Sequence, residues 1–257
     1  MDVMMENRDV VVDYDELSPQ WNAVAPFFSQ NMSPNSNYFP GKDNYDNAWP
    51  FLYSVISTQL NPNPNEDVHI CDFGCGTGTF AEQLSRLKLH TYACDFSTEM
   101  ILQAKKHTKG EVVYEVGSTN FLYKYSPFDM IVAVMVFQFV PNLEEILRTM
   151  AECVGEDGLL FFAVHHIDYA YECARNGIKF RMKNTDGDTE EGQIFIGNRW
   201  IKTFVRSPSW YDGVLSKVGF TRVGYTLSDN NPPEEAPKIE GDRWTSSKYY
   251  IAWYKKR

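Results

Sequence analysis

Asp72 is followed by three closely spaced glycines, Gly74, Gly76 and Gly78, in the run VHICDFGCGTG from Val68 to Gly78. Glycine reaches positive φ without a Cβ penalty and lets backbone amides approach a ligand. The helix-like segment that follows, Thr79 to Leu89, opens with N–H groups that have no partner inside the helix. Strand, glycine turn and helix together make a cradle for the polar end of a ligand. The dinucleotide fingerprint G-x-G-x-x-G receives a pyrophosphate. Here the glycines read G-x-G-x-G, no Lys or Arg lies close by, and an acid stands two residues ahead. An acid at a strand end suits a ligand bearing an ammonium group.

The elements that must position this turn are legible from periodicity. Apolar strands are expected at Val68–Asp72, His90–Asp95, Val112–Val116, Phe128–Met135 and Gly158–His165. Amphipathic helices fall between them at Thr79–Lys88, Ser97–His107 and Leu143–Cys153, with a connector before Phe128. That alternation means a parallel sheet covered on both faces, and right-handed crossovers make it doubly wound. Two aromatic helical stretches precede it, separated by a loop at Asn31–Gly41 and ended by the turn cluster Asn61–Asp67. After His165 the rhythm breaks. A short helix (Tyr169–Asn176), a polar turn region (Asn184–Gly192) and a hairpin through Gly197-Asn198 are expected. A helix from Pro208 to Val218 and strands near Thr221–Leu227 and Lys248–Tyr254 close the chain, with a loop at Ser228–Gly241.

The DFGCGTG turn and the motif order after it resemble the class I S-adenosylmethionine (SAM) methyltransferases, over roughly residues 68–165 and more loosely over 208–254. The resemblance implies an α/β fold with a doubly wound, mostly parallel seven-stranded Rossmann-like sheet. It implies one domain over residues 1–257: an N-terminal helical cap (1–60), a SAM-binding core (68–165), an insertion (166–207) forming a substrate lid, and a C-terminal helix and edge hairpin (208–257). In that family the first turn holds the cofactor's amino-acid end, which here falls to Asp72, Gly74, Cys75, Gly76 and Gly78. Asp95, 17 residues past Gly78, takes the position that accepts both ribose hydroxyls, one per carboxylate oxygen. It also reads as a helix cap. Phe96 reads as an adenine wall or a core aromatic.

At the third strand end the family often has Gly-Asp. This chain has Gly117-Ser118-Thr119-Asn120, so Ser118, Thr119, Asn120 or backbone amides are left to face adenine. After the fourth strand, Val136, Phe137 and Gln138 fall under the methionine part of the cofactor, or into the core; a buried amide such as Gln138 needs a partner in either case. His165 and His166 end the fifth strand and are the candidates for a general base, with Asp168 to orient one of them; a purely structural role is the other reading. Tyr14 and Trp21 on the N-terminal helix read as a cover near the sulfonium, or as ordinary helix packing. Arg199 and Arg206 read as contacts to an acidic acceptor or as surface charge.

Composition narrows the class. A net charge of −10 in 257 residues argues against a nucleic-acid surface, which carries a basic stripe. No apolar run reaches the length of a membrane span, and the acidic N-terminus lacks a signal-peptide pattern. Five cysteines without CxxC pairs read as reduced thiols in a cytoplasmic protein, with no metal site. The expected function is methyl transfer from SAM to an O or N atom of a small-molecule metabolite. The alternatives are an RNA or protein methyltransferase, a SAM-binding module without catalysis, and a nucleotide-dependent oxidoreductase.

Overall fold

The computed structural model describes residues 14–29, 41–60, 67–183, 189–228 and 245–257, with side chains from Ser18 onward. The expected loop at 31–40, the turn at 61–66, the segment 184–188 and most of the 228–241 loop lie outside the described residues. Helices α1 (Tyr14–Ser29) and α2 (Lys42–Val55, extended by a π turn through Leu60) come first. The alternating core follows: β1 (His69–Phe73), α3 (Thr79–Arg86), β2 (His90–Asp95), α4 (Thr98–His107), β3 (Val112–Val116), α5 (Thr119–Tyr125), β4 (Phe128–Val134), α6 (Leu143–Cys153) and β5 (Val154–His165). Helix α7 (Ile167–Arg175) leads into β6 (Phe180–Met182), β7 (Thr189–Ile196) and β8 (Arg199–Arg206). Helix α8 (Pro208–Lys217), β9 (Phe220–Leu227) and β10 (Tyr249–Lys256) complete the chain.

The main sheet has seven strands in the order β3-β2-β1-β4-β5-β10-β9. Its first five strands run parallel, and the β10–β9 hairpin pairs antiparallel onto β5. Strand alternation sends Leu160, Phe162 and Val164 to one face and Leu159, Phe161 and Ala163 to the other. Both sets are buried, so the strand reads as a continuous apolar run. Leu143, Ile146, Leu147 and Met150 recur at helical spacing on α6 and cover the first face with α8. Each such side chain contributes roughly 1.5–3 kcal/mol on burial. Leu52 and Val55 of α2 and Leu84 of α3 cover the second face.

Three expectations need correction. Strand β5 begins at Val154 rather than Gly158, because β4 pairs Phe128 with Val154 and Met130 with Leu159, and the intervening Glu156-Asp157-Gly158 run bulges out. The connector before Phe128 is helical. Ser118 caps α5, and Phe121 and Leu122 anchor it in the core. The hairpin is part of a three-stranded sheet, β6-β7-β8. Thr189–Gly192, expected within a turn, pair with Thr203–Arg206 of β8. Glu191 is neutralised across strands, meeting Lys183 at 2.6 Å and Lys202 at 3.5 Å.

Candidate active site

The carboxyl ends of β1, β2, β4 and β5 open into a cavity of about 1140 Å³. Ligand pockets usually span roughly 300–1,000 Å³, so this cavity lies just above the large end of that range. Helix α1 covers one side. Asn22 Oδ1 accepts from Ser97 Oγ at 2.7 Å and from Glu99 N at 3.3 Å, and Ser18 Oγ donates to the Phe96 carbonyl at 3.3 Å. The inserted sheet forms the other side. Its tip at Gly197 lies so close to Phe27 of α1 that a Cβ there would sit 2.9 Å from the ring.

The glycine turn divides its labour. A Cβ at Gly74 would fall 2.4 Å from Val136, and one at Gly78 would fall 2.5 Å from the Tyr114 hydroxyl, so these two serve close packing. Gly76 (φ 53°) faces open space. The turn is pinned to β2 because Gly74 N and Cys75 N both donate to the Cys94 carbonyl, at 2.8 and 2.9 Å. Gly74, Cys75 and Gly76 line the cavity, whereas Gly78 and Asp72 stand behind it.

Asp95 lies on the cavity wall, 8% exposed. Its Oδ2 accepts from Gly76 N at 3.0 Å and its Oδ1 from Ser97 N at 2.8 Å. Each oxygen keeps a lone pair for one further donor. Burial pushes its pKa up to about 6, against the pull of those two N–H groups. Asp72 is more deeply buried, and its Oδ2 has no hydrogen-bond partner among the described residues. Burial raises it to about 7, opposed by the Ala81 N–H and reinforced by the Asp95 charge. An orphaned carboxylate oxygen behind the turn, an open cradle at Gly76 and a carboxylate with two spare lone pairs fit a ligand with an ammonium end and a vicinal diol. That is the chemistry of SAM.

At the other end of the cavity, Gln138 and His165 form a fork. Gln138 Oε1 accepts the His165 N–H at 3.1 Å, and its Nε2 lies 3.1 Å from His165 Nδ1. A backbone N–H must face oxygen, so the amide nitrogen donates to Nδ1, and the imidazole proton stays on Nε2. Burial, with the Lys248 and Lys179 cations, lowers the His165 pKa to about 3, against Asp43. The ring stacks on Tyr249 at 5.5 Å and Tyr169 at 5.9 Å. Lys248 pairs with Asp43, which also accepts from the Tyr249 hydroxyl at 2.7 Å. Burial favours protonated Asp43, but these two donors outweigh it and hold the carboxyl below its usual range.

Of the residues singled out from sequence, Phe96, Val136, Gln138, His165 and Trp21 join the turn and Asp95 on the cavity wall. Trp21 packs edge-on to Phe139 at 4.7 Å, and its buried Nε1 has no partner among the described residues. Besides Asp72 and Gly78, Ser118, Thr119 and His166 do not line it. Ser118 and Thr119 begin α5, with the Ser118 hydroxyl turned back to Thr119 N. His166 caps α7, its Nδ1 accepting from Asp168 N at 3.3 Å. Tyr14 opens α1, and its side chain lies outside the described residues. The Arg206 expectation is corrected: the residue is 3% exposed and lies behind the cavity. Its guanidinium donates to the carbonyls of Phe137 (2.8 Å), Val140 (2.7 Å) and Pro141 (3.1 Å), tying the inserted sheet to the turn after β4. Lys179, Lys248, Tyr249 and Asp43 escaped sequence reasoning. The one local signal was the pairing of Tyr249 opposite His165, which appears only once β10 is placed beside β5.

Comparison with known proteins shows the family and the fold. A malonyl-[acyl-carrier protein] O-methyltransferase from Bacillus cereus is 34% identical over 149 residues, covering 56% of this chain and 54% of its own. The mitochondrial ubiquinone biosynthesis O-methyltransferase of Saccharomyces cerevisiae is 30% identical over 145 residues, covering 52% of this chain and 46% of its own. The chain thus spans about half the length of the curated relatives it matches. Magnesium protoporphyrin IX methyltransferase from Synechocystis PCC 6803, solved with bound SAH, shares the fold at a TM-score of 0.64 and 12% identity, over 95% of this chain and 100% of its own. No described helix is long and apolar enough to cross a membrane. Residues 47–207 match the methyltransferase domain family, and the chain belongs to it, with the fold of the class I SAM-dependent methyltransferases.

Proposed function

We propose that the protein transfers a methyl group from SAM to an O or N atom of a small-molecule acceptor in the cytoplasm. The observation that carries this reading is the single cavity with two chemically distinct ends: a polar cradle at Gly76 and Asp95, and an apolar chamber ending in Gln138, His165 and Lys248. The names of the curated relatives, two O-methyltransferases, support it. So do the five free cysteines, which suit a reducing compartment. The net charge of −10 favours a metabolite over RNA.

Asp95 would hold the ribose hydroxyls, Asp72 would balance the ammonium end from behind the turn, and the Gly76 backbone would border the methionine tail. When bound, SAM supplies a methyl group already activated by its sulfonium. The chain's own task is alignment and the exclusion of water. Good alignment is worth roughly 7–11 kcal/mol of barrier in favourable cases. Helix α1 and the inserted sheet supply the walls for it, and we assign the insertion at 166–207 the role of a substrate lid. The test is calorimetry with SAM and SAH, followed by SAH release against a panel of acceptors. SAM binding with acceptor-dependent SAH release is expected. Binding of NAD but not SAM would overturn the reading.

A further inference from the structure

Gln138 and His165 meet where β4 and β5 stop, and their pairing decides what the imidazole offers to the cavity. The His165 backbone N–H fixes which end of the Gln138 amide is oxygen, because an N–H does not face an NH2 group. The amide nitrogen therefore donates to Nδ1 at 3.1 Å. That bond takes the lone pair of Nδ1, and the ring carries its proton on Nε2. Tyr169 and Tyr249 stack on the ring with interplanar angles of 12° and 25°, and Phe180 meets it edge-on at 5.2 Å. Three aromatic neighbours and one amide thus hold the imidazole in one orientation. Among the described residues nothing hydrogen-bonds Nε2, and that nitrogen is not sealed in the core; His165 lines the cavity. The charged and titratable groups around the ring are Asp43 of α2, Tyr169 of α7, Lys179 ahead of β6, and Lys248 and Tyr249 of β10. Burial and the two lysines disfavour a second proton, against the pull of Asp43. Around this single fixed donor the wall is apolar, with Phe139, Ile178, Phe180 and Ile194.

Resting on the proposed methyltransferase activity, we propose that His165 is a specificity-determining donor rather than a base: its Nε2–H binds a neutral carbonyl or ether oxygen on the apolar body of the acceptor. A ring whose Nδ1 lone pair is taken and whose Nε2 is protonated has no lone pair with which to accept a proton. It rewards a ligand atom that brings a lone pair and no proton. A ligand with a methylene group at that point leaves the N–H unpaired in an apolar wall, which weakens binding about tenfold to a hundredfold. A ligand that places its own N–H there sets donor against donor. Gln138 acts through His165, as a positioning residue: it selects the tautomer and so the sign of the preference.

The test uses the full chain and three readouts. Calorimetry with SAM and SAH comes first; no binding of either overturns the methyltransferase reading itself and leaves the other two readouts to judge the donor. Nitrogen NMR of histidine-labelled protein then reads the tautomer, with the His165 signals assigned by their loss in His165→Leu. The Nε2–H form is expected, unchanged from roughly pH 5.5 to 8.5, where a free imidazole titrates. In Gln138→Glu both carboxylate oxygens accept, one from the His165 backbone N–H and one from the ring, so the ring proton should move to Nδ1 and leave Nε2 a lone pair. Third, acetophenone and benzophenone are titrated beside their matched hydrocarbons, ethylbenzene and diphenylmethane, with SAH present and absent. Wild type should favour each ketone about tenfold or more. His165→Leu should lose that preference, and His165→Gln, whose amide NH2 reaches toward the place of Nε2, should restore part of it. In Gln138→Glu the preference should pass to the matched phenols. The wild-type tautomer and the wild-type ketone preference stand as tests even where a variant does not fold. The inference is overturned if wild-type His165 carries its proton on Nδ1 or is doubly protonated at pH 7, if no ketone binds at millimolar concentration, or if the hydrocarbons bind as tightly as the ketones.

Discussion

Asp95 is the residue on which cofactor affinity should depend most, and its surroundings set the size of the effect. Each carboxylate oxygen holds one backbone N–H and has one lone pair left for a ribose hydroxyl. A hydrogen bond to a charged group contributes about 1.5–3 kcal/mol. Losing two in Asp95→Ala therefore costs about 3–6 kcal/mol, a weakening of about 10²- to 10⁴-fold. The same change strands the N–H groups of Gly76 and Ser97, so the ligand-free fold should also lose about 1–3 kcal/mol for each one left without water or another partner. In Asp95→Asn one oxygen survives, while the new NH2 group opposes a backbone N–H, and the loss should fall between wild type and Ala. Ribose hydroxyls need the ionised carboxylate. With the pKa near 6, wild-type affinity should be flat above about pH 7 and fall toward tenfold per unit below pH 6. In Asp95→Asn that decline should vanish. Calorimetry with SAH from pH 5 to 8 reads affinity, and urea unfolding reads stability. An Asp95→Ala affinity within threefold of wild type, or a wild-type profile unchanged through pH 6, would refute the placement of the ribose.

Three further outcomes are expected. Asp72 has its folded pKa raised to about 7, so its contribution to the stability of the ligand-free fold is full below about pH 4 and lost as pH rises through 7. Asp72→Asn should therefore raise the melting temperature above pH 7 while weakening SAM; a lower melting temperature at pH 8 would contradict this. Gly76→Val leaves room for its Cβ in the free protein but adds left-handed strain of about 1–2 kcal/mol. The fold should survive and SAM binding should be lost, as near-native circular dichroism with no calorimetric heat would show. Arg206→Met strands three carbonyls and should cost on the order of 3 kcal/mol in urea unfolding; a loss under about 0.5 kcal/mol would show that the tie is not structural.

The polar end of this cavity was legible because it is local. Asp72, the glycines and Asp95 lie within one strand–turn–helix–strand unit, where spacing in sequence is spacing in space. Even there the separate duties of Gly74, Gly76 and Gly78 were hidden. They depend on Val136 and Tyr114 standing opposite, and these arrive from other strands. The opposite end is non-local: Asp43 meets Lys248 across 205 residues. No periodicity links an acid in the first turn of α2 to the residue that precedes β10. The histidine pair looked like a base because imidazole usually titrates near neutrality. Burial and the Gln138 fork remove that property from His165, and capping occupies His166. Arg206 was read as surface charge because exposure is the usual state of arginine. The apolar alternation of β8 did not reveal that its last residue turns inward.

That inward arginine has a consequence for how the cavity can open. With one guanidinium stapling the hairpin to the turn after β4, the hairpin cannot swing outward without stripping three oxygens of their donors. The first helix is held differently, by the hydrogen bonds of Ser18 and Asn22 and by Val24 and Ala25, buried against Met100, Phe139 and Tyr169.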